Sequence, residues 1–156
     1  MFVVTTRGEA EQEALGRRLA QHCLPPCIIY LMGDLGTGKT TLARGFLRGL
    51  GYTGSVKSPT YTLMEPYDID DRVCYHFDLY RLVDAEELEY LGLEDLLTPE
   101  GFWLVEWPDK GRGGLPSADL VVSIAHEDGA RRITFEPISE KATGIIQGLQ
   151  GDLAVG

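Results

Sequence analysis

Gly33-Asp34-Leu35-Gly36-Thr37-Gly38-Lys39-Thr40 has the spacing of a phosphate-binding P-loop: glycine, four residues, then glycine, lysine and threonine. The residues before it, Cys27 to Met32, are an unbroken apolar run with two adjacent isoleucines, the pattern of a strand buried on both faces. Beyond it, Leu42, Ala43, Phe46, Leu47 and Leu50 recur at helical period from Lys39 to Leu50, and Gly51 follows as a stop. Strand, glycine loop and helix in that order are the context the motif requires. Glycines at 36 and 38 admit backbone torsions that a side chain would block, so successive N–H groups can encircle a phosphate, aided by the helix dipole. Gly33, Leu35, Gly36, Thr37 and Gly38 are therefore candidate phosphate-binding positions. Lys39, expected to be exposed in the loop, supplies charge to β and γ oxygens, the Thr40 hydroxyl is placed to ligate Mg²⁺, and Thr41 can bond an inner phosphate oxygen.

Outward from this unit, Thr6-Arg7-Gly8-Glu9 has capping-box spacing and is expected to open a helix running to about His22. Thr62 to Tyr67 and Val73 to Asp78 read as a hairpin, with Pro66 placing the first strand at a sheet edge. Asp84 caps a short helix ending near Gly92, and Gly111 to Gly114 reads as a flexible loop. Phe102 to Glu106 repeats the buried-strand pattern, while Leu120 to Ile124 and Arg132 to Glu136 suggest a hairpin turning at Asp128-Gly129. A closing helix is expected around Lys141 to Leu149, and residues 148–156 are expected to fray. The fold class is α/β: a P-loop NTPase-like three-layer fold on a mixed parallel and antiparallel sheet, in a single domain over 1–156.

Mg²⁺ usually takes one or two carboxylates besides substrate phosphates. Asp78 and Glu106 each end a strand-like run, and Glu106 resembles the acidic end of a Walker B strand. Either residue can ligate the ion, hold a ligating water or orient the attacking water. Arg81 offers charge to a γ-phosphate or an ion pair to the acidic helix after Asp84. Trp107 suits core packing, a place over the nucleotide or a partner surface, and His76 reads as a hydrogen-bonded sheet residue more readily than as a catalyst. Glu86, Glu87, Glu89, Glu94 and Asp95 form a solvated face or a docking surface for a basic partner.

Charge and cysteine usage narrow the setting. Lysine and arginine number 14 against 24 aspartates and glutamates, a net charge of −10, so unaided binding to a phosphate backbone is disfavoured. Cys23, Cys27 and Cys74 cannot all pair, and there is neither a secretory pattern nor a membrane-length apolar run; these features point to a reducing cytoplasm. The group His22, Cys23 and Cys27 lacks the second ligand pair of a structural metal site.

Four blocks in order resemble one family: the P-loop through Thr41, then Val56-Lys57-Ser58-Pro59-Thr60-Tyr61-Thr62-Leu63, then His76-Phe77-Asp78-Leu79-Tyr80-Arg81-Leu82, then Leu104-Val105-Glu106-Trp107-Pro108. Together they resemble the bacterial TsaE (YjeE) family, the ATPase component of tRNA threonylcarbamoyladenosine (t6A) synthesis, over nearly the whole chain. The resemblance implies that ATP and Mg²⁺ are the ligands, that Thr40 and Glu106 serve the ion, and that Asp78 is needed for hydrolysis. It also implies that Trp107 matters beside the site, that Thr60 belongs to a switch-like loop near the γ-phosphate, and that Arg131 approaches the nucleotide. The implied partners are the TsaD and TsaB proteins, with tRNA reached only through them. Near Gln12, where many members carry Thr or Ser, this chain departs from the pattern, and no base contact is carried over. A metabolite kinase is the competing enzyme class, but a lid of several arginines is missing; a GTPase fits poorly because the chain has no asparagine for guanine selection. A non-catalytic nucleotide switch is the third class.

Overall fold

A computed structural model describes residues 1–155. The chain runs through β1 (Phe2–Thr6), α1 (Gly8–Gln21), β2 (Cys27–Met32), α2 (Lys39–Leu50), β3 (Met64–Ile69) and β4 (Arg72–Asp78). A 3-10 helix over Ala85–Leu91 and a single turn, α3 (Leu93–Leu96), lead to β5 (Gly101–Glu106). A 3-10 turn at Pro108–Gly111, the hairpin β6 (Leu120–Glu127) and β7 (Ala130–Pro137), and α4 (Glu140–Val155) complete it.

All seven strands form one sheet in the order β1-β7-β6-β2-β5-β4-β3. Its centre is parallel, with β2 between β6 and β5 and β4 beyond β5; β3, β7 and β1 pair antiparallel at the flanks. The mixed α/β class expected from the sequence is therefore the one observed. All six residues of β5 are buried, as a run apolar on both faces requires. On one face Phe102, Leu104, Ile29 and Leu31 pack against α1, α2 and α4; on the other, Trp103 and Val105 pack with Phe77, Leu79 and Leu88 under the short helical segments. Pro66 lies on β3, the edge strand its missing N–H demands.

α1 and α2 approach so closely that a Cβ on Gly45 would lie 2.0 Å from the carbonyl oxygen of Glu13, and one on Gly16 would lie 2.2 Å from that of Leu42. The helix carrying the P-loop is thus locked backbone to backbone against α1.

Several local expectations are corrected. Thr6 does not cap α1: it closes β1, a strand the sequence reading left out, and Arg7 takes the N-cap position without a side-chain bond. β1 exists because β7 lies beside it, pairing Phe2 with Phe135 and Thr6 with Arg131. β3 starts at Met64 rather than Thr62, since the Leu63 N–H is turned back onto the Pro59 carbonyl at 2.9 Å. Gly111, the first residue of the stretch expected to be a flexible loop, is instead buried at the end of a packed turn, where a Cβ would meet Leu79 and Leu88 within 2.9 Å; Arg112 to Gly114 are exposed. The tail expected to fray from Gly148 is the second half of α4, anchored by buried Leu149 and by the 2.6 Å contact of His22 Nε2 with Asp152; the last residue lies outside the described range.

Candidate functional site

The P-loop leaves the carboxyl end of β2 and enters α2 through Gly38, whose φ of 95° is left-handed and suits glycine. Inside the loop the Thr37 hydroxyl donates to the Asp34 carbonyl at 2.8 Å. From below, buried Gln12 on α1 donates its amide to the carbonyls of Thr37 at 2.8 Å and Gly38 at 3.0 Å, and the Thr6 hydroxyl donates to Gln12 Oε1 at 2.8 Å. These bonds satisfy the loop's carbonyls from the protein side.

Lys39 is 5% exposed, not the open side chain the sequence suggested. Its ammonium donates to the carbonyls of Gly33 and Asp34 and lies 4.1 Å from the centre of the Trp107 ring. Burial lowers its pKa, against the opposing pull of Glu106 and Asp78. Trp107 is half-buried at the cleft rather than in the core; its backbone takes a left-handed φ of 57°, and its ring meets Tyr80 at 5.0 Å.

The two carboxylates arrive by register. β4 and β5 run parallel with Asp78 opposite Glu106, so both side chains emerge at the same end of the sheet on the face that α2 covers. Glu106 is buried, and its carboxylate accepts from the Thr40 hydroxyl at 3.2 and 3.4 Å and contacts His76 Nε2 at 2.6 Å. Asp78 accepts the Tyr80 N–H at 3.1 Å, and the Asp78 N–H returns to the Leu63 carbonyl at 2.9 Å. That second bond ties the segment carrying Ser58 and Thr60, whose hydroxyls lie 2.7 Å apart, to the end of β4.

A cleft of about 790 Å³ is lined by every candidate named from the sequence except Gly33: Leu35, Gly36, Thr37, Gly38, Lys39, Thr40, Thr41, Thr60, Asp78, Glu106, Trp107 and Arg131. Gly33 contributes through the carbonyl that Lys39 holds. Arg131 reaches the Gly36 carbonyl at 3.4 Å from the start of β7. Arg81 also lines the cleft, with its guanidinium 4.6 Å from the centre of the Tyr61 ring. Gln12 and Tyr80 join the site without having been assigned a part in it, because their roles depend on bonds between elements.

The donor set is that of a hard cation beside an oxyanion: a hydroxyl and two carboxylates facing an anion cradle. Among the described residues no group of three or more His, Cys, Asp or Glu is arranged to hold a metal on its own. The cysteines lie elsewhere, free and buried.

Burial raises the Asp78 pKa above its ordinary value near 3.8, with the Glu106 charge adding to the rise while the Tyr80 N–H, His76 and Lys39 oppose it. Folding therefore favours the protonated form, and stability falls as pH rises from the unfolded value through the folded one. Asp78→Asn is expected to stabilise the free protein at pH 7, with the gain shrinking as pH falls toward 4. Urea unfolding of both proteins at the two pH values checks this; a destabilised variant at pH 7 would contradict it.

A P-loop between a parallel strand and a helix, in a mixed sheet with acidic strand ends facing it, defines a P-loop NTPase-like α/β protein. The family model described as threonylcarbamoyl adenosine biosynthesis protein TsaE matches residues 6–134, and the chain belongs to this TsaE family. It is 53% identical over 115 residues to the tRNA threonylcarbamoyladenosine biosynthesis protein TsaE of Haemophilus influenzae, covering 74% of this chain and 73% of that one. The protein of the same description from Bacillus subtilis is 38% identical over 132 residues, covering 84% and 82%. Among solved structures, the crystal structure of Bacillus subtilis YdiB superposes with a TM-score of 0.82 at 30% identity, over 97% of this chain and 95% of that one. No helix among the described residues is long and apolar enough to cross a membrane.

Proposed function

We propose that this chain is a Mg²⁺-dependent ATP-binding and ATP-hydrolysing subunit required for the t6A modification of tRNA, acting as one domain with the TsaD and TsaB proteins. The observation that carries the reading is the meeting, in one cleft, of Lys39 and Thr40 with the carboxylates of Asp78 and Glu106. Backbone N–H groups of the loop cradle the phosphates, and Lys39 exchanges its carbonyl partners for phosphate oxygens. Thr40 and Glu106 would hold Mg²⁺, which neutralises charge on the β and γ oxygens when bound. Asp78, within reach of the same region, ligates the ion or orients the attacking water, while Thr60, Trp107 and Arg131 flank the nucleotide.

The net charge of −10 supports contact with tRNA through partners rather than alone, and three buried free thiols support a cytoplasmic setting. Depleting the protein in cells and quantifying t6A in tRNA tests the reading. Loss of t6A is expected; an unchanged level would overturn it. Release of ADP from ATP, measured with and without TsaD and TsaB, tests the chemistry, and stimulation by the pair is expected.

Lys39→Ala is expected to weaken ATP binding by about tenfold or more, the scale of losing a charge-assisted bond. Because the side chain is buried between two carbonyls and the Trp107 ring, a modest loss of thermal stability is expected as well. Calorimetric titration with ATP reads the first effect; unchanged affinity would remove Lys39 from the phosphate site.

A further inference from the structure

His76 lies on β4 two residues before Asp78 and is completely buried. Its Nε2 is 2.6 Å from Glu106 Oε2, whereas its Nδ1 is buried with no partner in the structure. An unpaired ring nitrogen in an interior is costly, and the ring's one polar contact is the carboxylate. That same Oε2 accepts the Thr40 hydroxyl at 3.2 Å. A glutamate side chain has three torsions to be fixed, and the Thr40 hydroxyl approaches the carboxylate only at 3.2 and 3.4 Å, whereas His76 Nε2 lies 2.6 Å from it.

We propose that His76 is a positioning residue, setting the Glu106 carboxylate in the orientation that faces Thr40 and the cleft. The proposal rests on the reading of Glu106 as a group that serves Mg²⁺, and it assigns His76 no contact with nucleotide or ion. It resembles the way second partners of metal-ligating side chains fix their orientation, where loss of the partner typically weakens metal binding by about 10- to 100-fold. A side chain that only filled space on β4 would be replaceable by any residue of similar volume.

The test uses the whole chain and calorimetric titration of ADP, in EDTA and across a Mg²⁺ series, so that no turnover is needed. His76→Met keeps volume and removes the donor. It is expected to raise the Mg²⁺ concentration needed for half of the metal-dependent gain in ADP affinity by about tenfold, leaving affinity in EDTA unchanged. His76→Gln, whose amide nitrogen falls near the place of imidazole Nε2, is expected to restore most of the difference. A folded His76→Met with the wild-type Mg²⁺ requirement overturns the proposal, as does a His76→Gln no better than His76→Met. Should His76→Met fail to fold, His76→Asn, whose amide stops short of Glu106, takes its place, and equal Mg²⁺ requirements for Asn and Gln overturn the proposal. Glu106→Gln in the same series separates the two levels: no shift there sinks the reading of Glu106 itself. A shift with Glu106→Gln but none with His76→Met sinks only the role of His76.

Discussion

Glu106→Gln is expected to lower Mg²⁺-dependent ATP hydrolysis by about 100-fold or more, the scale for losing one preorganised electrostatic contact at a reacting phosphate. The substitution keeps the volume at the end of β5 and removes the charge. With its oxygen in the place of Oε2, the atom that both Thr40 Oγ1 and His76 Nε2 approach, the amide can keep those two bonds, so the charge is what the substitution removes. ATP affinity without metal is expected to stay the same or rise slightly, because a carboxylate near the polyphosphate has been neutralised. Partner-stimulated hydrolysis and nucleotide affinity across a Mg²⁺ titration decide the matter. Full activity at ordinary Mg²⁺ would move the role to Asp78 or to neither residue.

The second large effect is on the fold. Gly45→Ala is expected to cost about 3 kcal/mol or more, the upper part of the range for overpacking, because the added methyl meets backbone rather than a movable side chain. Its nearest neighbours would be the carbonyl oxygen of Glu13 at 2.0 Å and the carbonyl carbon at 2.8 Å. Relief requires α1 and α2 to separate along their length, which also opens the buried contacts of Leu15, Leu19, Leu42 and Phe46. Gly144→Ala is the matched control: it lies within α4, nothing comes within 4 Å of its added carbon, and a gain of about 0.5–1 kcal/mol is expected from helix propensity. Urea unfolding of the two variants compares them directly; equal stabilities would show that the helices can part at little cost.

The legibility of this molecule in its sequence follows the range of the interactions involved. The P-loop, β2, α2 and β5 were readable because a glycine spacing, a helical period and a continuous apolar run are local signals; β5 is buried on both faces as its run implies, whereas β2 is buried on one face and half-buried on the other. Asp78 and Glu106 were readable as strand-end acids, but their placement opposite one another is a matter of register between β4 and β5, which no local pattern carries. β1 was missed for the same reason: its apolar contacts with the core come from Phe2 and Val4, and the strand it pairs with is more than 120 residues away in sequence. Lys39 looked exposed because lysines in glycine-rich loops usually are, and nothing nearby announced that the Trp107 backbone would turn left-handed and bring its ring over the ammonium. Gln12 and His76 are polar residues whose meaning lies wholly in what they touch on other elements. The closing helix was readable as far as Leu149, which is buried, but Gln150, Gly151 and Asp152 interrupt the apolar period, so its continuation to Val155 was not.

The pairing of the first strand with the last sets the order in which a newly made chain can finish its site. As the ribosome extends the protein, β1 emerges early and stays without a neighbour until β7 follows some 120 residues later, since β7 is the strand it bonds. The strands and helices from β2 to β5 can assemble meanwhile, but Thr6 gains its fixed place only in that closing ribbon, opposite Arg131. Thr6 orients Gln12, Gln12 holds two carbonyls of the loop, and Arg131 reaches a third. A nascent chain that has passed Glu106 thus has all its acidic and P-loop chemistry and Gln12 beneath the loop, but neither the fixed Thr6 nor Arg131, and a protein truncated before the final hairpin is left in that state.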